Sequence, residues 1–329
     1  MNILVTGSGS LLGQGIIKSL KSSNLDFELY STDYFSSAIG LYWANKSFLM
    51  PDILKDSVSE NSWLEALKEI IISHEIEIVI PGLDFEIPIL AKHKDAIEKD
   101  TGSFVIVSPE NVVTIGNDKW ETYKFLKESG LIFPESSLPE DREDFLSDNN
   151  YPLIVKPRFG HTSKDVFIVN NVEELKRALD KVDRPIIQEY LGSADEEYTC
   201  STVFVEESII STISLKRTLK NGNTHVAFLE EYEEIDDYIN KVTKVLRPHG
   251  ATNFQLRLTE KGPVIFEINP RFSGTTPIRS IFGVNEVEAS IQAILFENYN
   301  QEFIKKPGVV IRYMESEFVE WEKYNSFKN

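Results

Sequence analysis

The chain has 329 residues, of which 41% are hydrophobic and 26% are charged, and its net charge is −18. This composition is typical of a globular protein, and an acidic chain without a long basic cluster argues against a nucleic acid or an anionic membrane as partner. The apolar runs are too short to span a bilayer, and the N-terminus lacks the pattern of a signal peptide, so we expect a cytoplasmic protein. The one cysteine, Cys200, excludes an intramolecular disulfide and a CxxC site.

The first third of the chain alternates short apolar strands with helices. Strands are predicted over residues 3–5, 27–32, 76–80 and 104–107, and helices over residues 11–20, 63–73 and 87–98. Continuous apolar strands separated by helices indicate a parallel sheet that is covered on both faces. We therefore predict a Rossmann-like α/β domain over residues 1–112.

From residue 113 onward, strands follow one another more closely. A helix is predicted over residues 118–129 with Asn117 as its N-cap, and the polar residues 139–150 read as a linker or a short surface helix. Strands are predicted over residues 153–156, 166–169, 186–189, 198–205 and 208–215, with helices over 172–180, 233–246 and 286–296. This order of elements indicates an α+β fold.

Residues 253–270 read as a β-hairpin. Two runs of alternating apolar residues flank the turn-rich residues 259–263, which predict a five-residue loop. A register symmetric about Lys261 places Leu258 opposite Val264. In this register Phe266 and Ile268 point into a core, because side chains alternate between the two faces of a strand.

The opposite face of the same hairpin carries polar side chains. Gln255 faces Glu267 across the two strands, and Asn253 faces Asn269 in the same way. Amide and carboxylate oxygens without histidine or thiolate are the ligands that Mg²⁺ prefers. The sequence therefore predicts a magnesium site on this face.

The hairpin runs into FEINPRFSG, which together with the upstream NFQ resembles the metal-binding signature of ATP-grasp enzymes. The resemblance is greatest to the branch of carbamoyl-phosphate synthetase large subunits and carboxylate–amine ligases, and it covers residues 117–275 in order and spacing. It implies that Gln255, Glu267 and Asn269 hold two Mg²⁺ ions, with Mn²⁺ as a substitute. It also implies that Arg271 stabilises the transferring phosphoryl group.

The resemblance also assigns nucleotide-binding residues. Lys119, in NDKWETYKFL, matches the lysine that reaches the α-phosphate, and Lys156, in LIVKPR, matches the second phosphate lysine. The run QEYL resembles the hinge between the two lobes, which recognises the edge of the adenine. The hinge residues assigned to the nucleotide are Glu189, Tyr190 and Leu191.

Three further parts of the nucleotide site follow from the resemblance. Glu197 matches the carboxylate that binds the ribose hydroxyls, and either Lys216 or Arg217 matches a cation near the γ-phosphate or the substrate. Residues 160–166 take the place of a glycine-rich phosphate loop, although they hold one glycine. In this loop, Ser163 and Lys164 are assigned to the phosphates.

The implied fold is a Rossmann-like (pre-ATP-grasp) domain followed by a two-lobed α+β ATP-grasp fold. The first domain is predicted over residues 1–112, the small lobe with its linker helix over 113–192, and the C-terminal lobe with the metal site over 193–329. In this fold the first domain helps to bind the acceptor substrate. Residues 7–15, Asp84 and Glu86 are its candidates for that role.

The implied reaction uses ATP and Mg²⁺ to activate a carboxylate as an acyl phosphate and joins it to an amine, releasing ADP and phosphate. The partners are then a small-molecule carboxylate and amine, and a homodimer is open. One alternative is phosphorylation of bicarbonate or carbamate, as in carbamoyl-phosphate synthetase, although this chain has one such half rather than two. Another alternative is a non-catalytic nucleotide-binding module.

The N-terminal loop suggests an alternative hypothesis, that the protein is a dehydrogenase. Glycines in residues 7–15 follow a strand and open a helix, and Asp33 ends the second strand. The spacing, however, is G-x-G-x-x-x-G rather than the dinucleotide fingerprint G-x-G-x-x-G. Tyr123 and Lys127, with Ser108, imitate a catalytic triad, but an i, i+4 pair is common by chance. This reading also leaves the hairpin unexplained, so we reject it.

Overall fold

The structure is a computed structural model, and it describes residues 1–160, 165–296, 299 and 301–327. Its strands form three sheets, of five, six and four strands. These sheets fall within residues 2–105, 197–311 and 136–189, so the predicted boundaries at 112 and 192 lie between sheets; the division into domains stays a prediction. No helix in the described ranges is long and apolar enough to cross a membrane.

The N-terminal sheet is parallel, as predicted. Its elements are β1 (Asn2–Val5), α1 (Leu11–Lys21), β2 (Glu28–Asp33), α2 (Gly40–Trp43), β3 (Lys46–Leu49), α3 (Glu60–Ser73), β4 (Ile78–Ile80), α4 (Ile87–Thr101) and β5 (Phe104–Val105). The strand order is β3-β2-β1-β4-β5. The pattern did not predict α2 and β3, because the helix is a single turn and the edge strand is only partly buried.

Burial on both faces explains the continuous apolar strands. Ile3 and Val5 of β1 pack with Ile17 of α1 in one core cluster. Leu4 points the other way and packs with Trp63 of α3 in a second cluster. Residues 3–5 of this strand are buried on both faces, and each of them is therefore apolar.

The middle of the chain forms a small antiparallel sheet. Its elements are α5 (Glu110–Asn117), α6 (Lys119–Glu128), β6 (Ser136–Ser137), a 3₁₀ turn (Pro139–Asp141), α7 (Arg142–Asp148), β7 (Leu153–Pro157), β8 (Phe167–Val169), α8 (Val172–Lys181) and β9 (Pro185–Glu189). The strand order is β6-β9-β7-β8. The predicted N-cap was wrong, because Asn117 ends α5. Asp118 caps α6 instead, accepting a hydrogen bond from the Trp120 N–H at 2.9 Å.

The C-terminal part forms an antiparallel six-stranded sheet. Its elements are β10 (Glu197–Val205), β11 (Ser208–Lys220), β12 (Asn223–Leu229), α9 (Glu233–Leu246), β13 (Gly250–Thr259), β14 (Gly262–Asn269), α10 (Thr276–Ile281), α11 (Glu286–Leu295), β15 (Gly308–Ile311) and α12 (Trp321–Asn325). The strand order is β14-β13-β10-β11-β12-β15. The α/β domain followed by two antiparallel lobes confirms the predicted fold class.

The hairpin of β13 and β14 has the predicted pairing at its polar end. Asn253 pairs with Asn269, and Gln255 pairs with Glu267. The polar side chains of the two strands are therefore neighbours, as the sequence indicated.

The other end of the hairpin corrects the prediction. The turn has two residues rather than five, so Leu258 pairs with Pro263 instead of Val264. A β-bulge at Phe266 absorbs the difference of one residue and restores the predicted register beyond it. The bulge also turns Phe266 away from the expected core, and its side chain lines a cavity, whereas Ile268 is fully buried.

A buried ion pair ties two helices to the polar face of this hairpin. Arg279 of α10 and Glu286 of α11 are both fully buried, and Nη1 of the arginine lies 3.2 Å from each carboxylate oxygen. Nη2 of Arg279 also donates to Oδ1 of Asn253 at 2.6 Å and to the Thr199 hydroxyl at 3.1 Å. One guanidinium therefore holds α10 and α11 against β10 and β13.

Replacing Arg279 with methionine should lower the free energy of unfolding by about 3–5 kcal/mol, because Glu286 would remain buried without its countercharge. Urea denaturation of both proteins measures the change. The matched control is Arg247→Met, whose ion pair with Glu207 is 62% and 64% exposed, and it should cost about 0–1 kcal/mol. Equal losses in the two variants would contradict this account.

Candidate active site

A cavity of about 260 Å³ lies between the four-stranded and the six-stranded sheets. Strands β7 and β9 supply one wall, and β10, β11, β13 and β14 supply the other. The residues predicted from sequence that line it are Lys119, Lys156, Glu189, Leu191, Glu197, Arg217, Gln255 and Glu267. These residues come from a stretch of 149 residues, and they line one cavity although they are distant in sequence.

Lys156 is a buried cation at the end of β7. Its Nζ donates to Oε1 of Gln188 at 2.8 Å and approaches the Phe266 carbonyl at 3.4 Å. Burial lowers the pKa of Lys156 from 10.5 to about 7, and the nearby charge of Lys119 adds to the effect. A buried amine whose described partners are neutral oxygens is suited to an anion that enters the cavity.

Lys119 begins α6 and reaches the same cavity from the other side. Its Nζ donates to the Gly160 carbonyl at 3.0 Å and approaches the Arg158 carbonyl at 3.4 Å. Burial lowers its pKa, whereas the carboxylate of Glu267 opposes that shift. Because the charge of Lys119 also lowers the pKa of Lys156, an anion bound near both lysines would favour their charged forms.

Glu197 opens β10 and is neutralised by two arginines. Its Oε1 accepts from Nη2 of Arg217 at 2.8 Å, and its Oε2 accepts from Nη2 of Arg257 at 3.2 Å. Arg257 also donates to the Gly192 carbonyl at 2.6 Å and lies over the ring of Tyr190. The sequence did not single out Arg257, although its place two residues after Gln255 on the same strand was the available signal.

Side chains alternate between the two faces of β11, and this separates Lys216 from Arg217, the two cations that the sequence left as alternatives. Arg217 is 8% exposed, lines the cavity and donates to Oε1 of Gln255 at 2.8 Å. Lys216 lies on the other face, where its Nζ pairs with Glu196 at 2.7 Å. The structure therefore brings Arg217 to the other candidate residues and leaves Lys216 apart.

The hinge residues contact the nearby hairpin turn. Glu189 pairs with Lys261 at 2.8 Å, and Leu191 lines the cavity. The side chain of Tyr190 stacks with Arg257, 5.8 Å from its ring centre. The two other assigned loop residues, Ser163 and Lys164, lie outside the described residues.

The polar end of the hairpin offers oxygens to a cation. Gln255 Oε1 and Asn269 Oδ1 each accept from a guanidinium, and Nδ2 of Asn269 donates to Glu267 Oε1 at 3.0 Å. Within the described ranges, no three histidine, cysteine, aspartate or glutamate side chains are grouped for a metal. A carboxylate with two amide oxygens, all placed to receive positive charge, fits Mg²⁺ rather than a soft metal.

Arg271 follows the hairpin and connects it to the N-terminal domain. Its Nε donates to Oδ1 of Asp84 at 2.8 Å, and its Nη2 donates to Oδ1 of Asn269 at 3.1 Å. Asp84 thus joins the site as the sequence suggested. Glu86 does not, because it is buried against Tyr34 at 2.7 Å and burial raises its pKa to about 7.

A second cavity, of about 150 Å³, adjoins the first. It lies between the N-terminal domain and the six-stranded sheet. The two cavities share three lining residues, Arg217, Gln255 and Glu267. Molecules bound in the two spaces would therefore meet at the polar end of the hairpin.

The N-terminal glycine loop makes a hydrogen bond to a side chain of the same protein. The Gly9 N–H donates to Oδ2 of Asp33 at 2.8 Å, so this N–H is not directed at a dinucleotide phosphate. Of the other dehydrogenase residues, Tyr123 accepts a hydrogen bond from Lys127 at 2.8 Å, whereas the hydroxyl of Ser108 bonds the backbone of His249 instead of this pair.

Comparisons with known proteins identify the two domains of the chain. A family model described as an ATP-grasp domain matches residues 116–275, and one described as a PylC-like N-terminal domain matches residues 3–105. The carbamoyl phosphate synthase large chain of Helicobacter pylori is 25% identical over 350 residues, which cover 94% of this chain and 30% of that protein. The chain spans 30% to 62% of the length of the first four curated relatives that it matches.

Solved structures share the fold over most of the chain. The N5-carboxyaminoimidazole synthetase of Staphylococcus aureus complexed with ADP has a TM-score of 0.74 at 15% identity, covering 95% of this chain and 82% of that one. The biotin carboxylase domain dimer of the Hydrogenobacter thermophilus 2-oxoglutarate carboxylase, in complex with MgADP, ADP and bicarbonate, has a TM-score of 0.72 at 18% identity, covering 93% and 73%. With both family matches in the predicted order, the chain belongs to the ATP-grasp superfamily, and a PylC-like N-terminal domain precedes its ATP-grasp domain.

Proposed function

We propose that the chain is an ATP- and Mg²⁺-dependent ligase, which activates a carboxylate as an acyl phosphate, joins it to an amine and releases ADP and phosphate. The observation that carries the proposal is the first cavity. It brings the cations Lys119, Lys156 and Arg217 together with the oxygens of Gln255 and Glu267. Phosphoryl transfer needs such positioning and charge neutralisation more than covalent catalysis.

The nucleotide occupies the first cavity in this proposal. Lys119 and Lys156 bind its phosphates, and the buried Glu197 accepts from the ribose hydroxyls. Backbone at the hinge, with Glu189, Tyr190 and Leu191, recognises the adenine. Ser163 and Lys164 are proposed to cover the phosphates from the neighbouring loop.

Gln255, Glu267 and Asn269 would hold Mg²⁺, as two ions, with Mn²⁺ able to replace them. The bound metal would neutralise phosphate oxygens and orient them for transfer. Arg217 and Arg271 donate to the two amide oxygens and so lie beside these metal ligands. Both guanidiniums would stabilise negative charge on the phosphoryl group and the substrate.

The reaction proceeds in two displacements. An oxygen of the substrate carboxylate attacks the γ-phosphorus of ATP, the bond to the bridging oxygen breaks, and ADP leaves. The amine nitrogen then attacks the acyl carbon, phosphate leaves with the electron pair of the broken bond, and the amine loses a proton.

A second candidate is phosphorylation of bicarbonate or carbamate. It is favoured by the relative named as a carbamoyl phosphate synthase large chain, of which this chain covers 30%. The two functions share the nucleotide and metal sites and differ in the acid that enters the second cavity.

The proposed setting is the cytoplasm, with small-molecule carboxylate and amine substrates and neither nucleic acid nor membrane as partner. The acidic chain supports this view. A homodimer is also proposed, because a similar structure is a dimer of biotin carboxylase domains.

Glu267→Gln should reduce ADP release from ATP and Mg²⁺ in a pool of amino acids and other carboxylates by about 10²–10³-fold, because the hairpin loses its carboxylate ligand. Glu260→Gln, in the exposed turn of the same hairpin, is the matched control and should leave the rate unchanged. Release with bicarbonate and ammonia alone would favour the second candidate. Full activity of Glu267→Gln would contradict both.

Binding of ATP should take up a proton at pH 8. Burial holds the pKa of Lys156 at about 7, so the amine is mostly neutral in the empty protein above that pH, and bound phosphates favour its charged form. Calorimetry in buffers of different ionisation enthalpy measures the uptake, which should decline toward pH 6. Lys156→Gln should lower the uptake at pH 8, and an unchanged value would contradict this assignment.

Arg217→Met should reduce ADP release by about 10²-fold, because this guanidinium lies where the two cavities meet. Lys216→Met removes the preceding cation on the opposite face of β11 and should change the rate by less than about threefold. Steady-state assays of both variants decide between the two cations. The reverse order of effects would show that Lys216, not Arg217, serves the reaction.

A further inference from the structure

The second cavity has its own cationic residue, Arg312, which lies outside the family match over residues 116–275. Strand β15 delivers it by antiparallel pairing with β12. The Arg312 N–H continues that ladder by donating to the His225 carbonyl at 2.8 Å. Val310 packs against the core, and Arg312, two residues further on, therefore lies on the same inward face.

Arg312 differs from the other two arginines of this cavity. Arg217 is paired with Glu197, and Arg271 is paired with Asp84. Among the described residues, no carboxylate pairs with Arg312, whose Nη2 donates to the Gly274 carbonyl. Burial lowers its pKa without a countercharge that opposes the shift. A guanidinium has five N–H donors, so most of them remain for a ligand.

The size and lining of the cavity restrict that ligand. A space of about 150 Å³ holds on the order of five water molecules. Leu11 and Leu12 supply apolar surface, while Thr199, Ser273 and Thr275 supply hydroxyl groups. The cavity is smaller than the first one and is suited to a small molecule that is mainly polar and carries an anionic group.

We propose that this cavity takes a small carboxylic acid and that Arg312 binds its carboxylate. A planar guanidinium with free donors pairs with a carboxylate through two parallel hydrogen bonds. The inference rests on the proposed function, because the acid in this cavity is the substrate that meets the γ-phosphate beside Glu267. It adds the class of acid and assigns its binding to a residue of the C-terminal strand.

The test is ligand-induced thermal stabilisation in the presence of a non-hydrolysable ATP analogue and Mg²⁺. The probes are bicarbonate, lactate, succinate and the standard amino acids, each amino acid paired with its carboxamide, which lacks the anionic group. At least one acid should raise the melting temperature of the wild-type protein, and its carboxamide should not. Titration of that acid gives its Kd.

Arg312→Met should weaken binding of the acid by about 10- to 100-fold, as expected for loss of a charge-assisted bidentate contact. Arg312→Lys should restore part of the affinity, since it keeps the charge but not the paired donors. Arg247→Met, at an exposed arginine, is the matched control and should bind the acid as the wild type does. Stabilisation by the ATP analogue should survive in all three variants and shows that they are folded.

Two results would overturn the inference: no acid in the set stabilises the nucleotide-loaded wild type, or Arg312→Met binds the acid as tightly as the wild type. Failure of the proposed function would give a different result. The ATP analogue itself would then not stabilise the wild-type protein, whose nucleotide cavity does not include Arg312.

Discussion

The pairing of β13 with β14 is the constraint on which the site depends. Two neighbouring strands hold Gln255 against Glu267 and Asn253 against Asn269. The bulge at Phe266 keeps this register despite the tight turn, and it places an aromatic ring in the cavity beside Lys156. Every other candidate group is arranged around that pair of strands.

The charges that line the two cavities favour anionic ligands. The first cavity collects the buried Lys156 and the half-buried Lys119, whose pKa values are both lowered by burial, and a glutamate that is already neutralised by two arginines. Such a space favours a polyanion, since bound phosphates would offset the cost of burying the lysine charges. The second cavity adds an arginine without a described carboxylate partner. Anionic groups are thus favoured in both cavities, which meet at the polar end of the hairpin.

The sequence predicted those features that follow from local pattern or from a contiguous motif. Strand–helix alternation gave the parallel sheet, and the alternation of polar residues gave the facing pairs of the hairpin. The two-residue turn and the bulge were not predictable, because they compensate for each other and leave the polar register unchanged. The choice between Lys216 and Arg217 depended on which face of β11 meets the cavity, and tertiary packing decides that. Arg312 carries no local signal, since only the sheet brings it to the site.

The acyl phosphate is the central claim, and oxygen transfer tests it most directly. The protein would be incubated with ATP, Mg²⁺, an amine pool and amino acids labelled with ¹⁸O in their carboxylates, and the released phosphate would be analysed by mass spectrometry. The account predicts that the phosphate carries one carboxylate-derived ¹⁸O per turnover, because that oxygen leaves with the phosphoryl group. Turnover that releases unlabelled phosphate with each labelled acid would contradict activation of these carboxylates by phosphorylation.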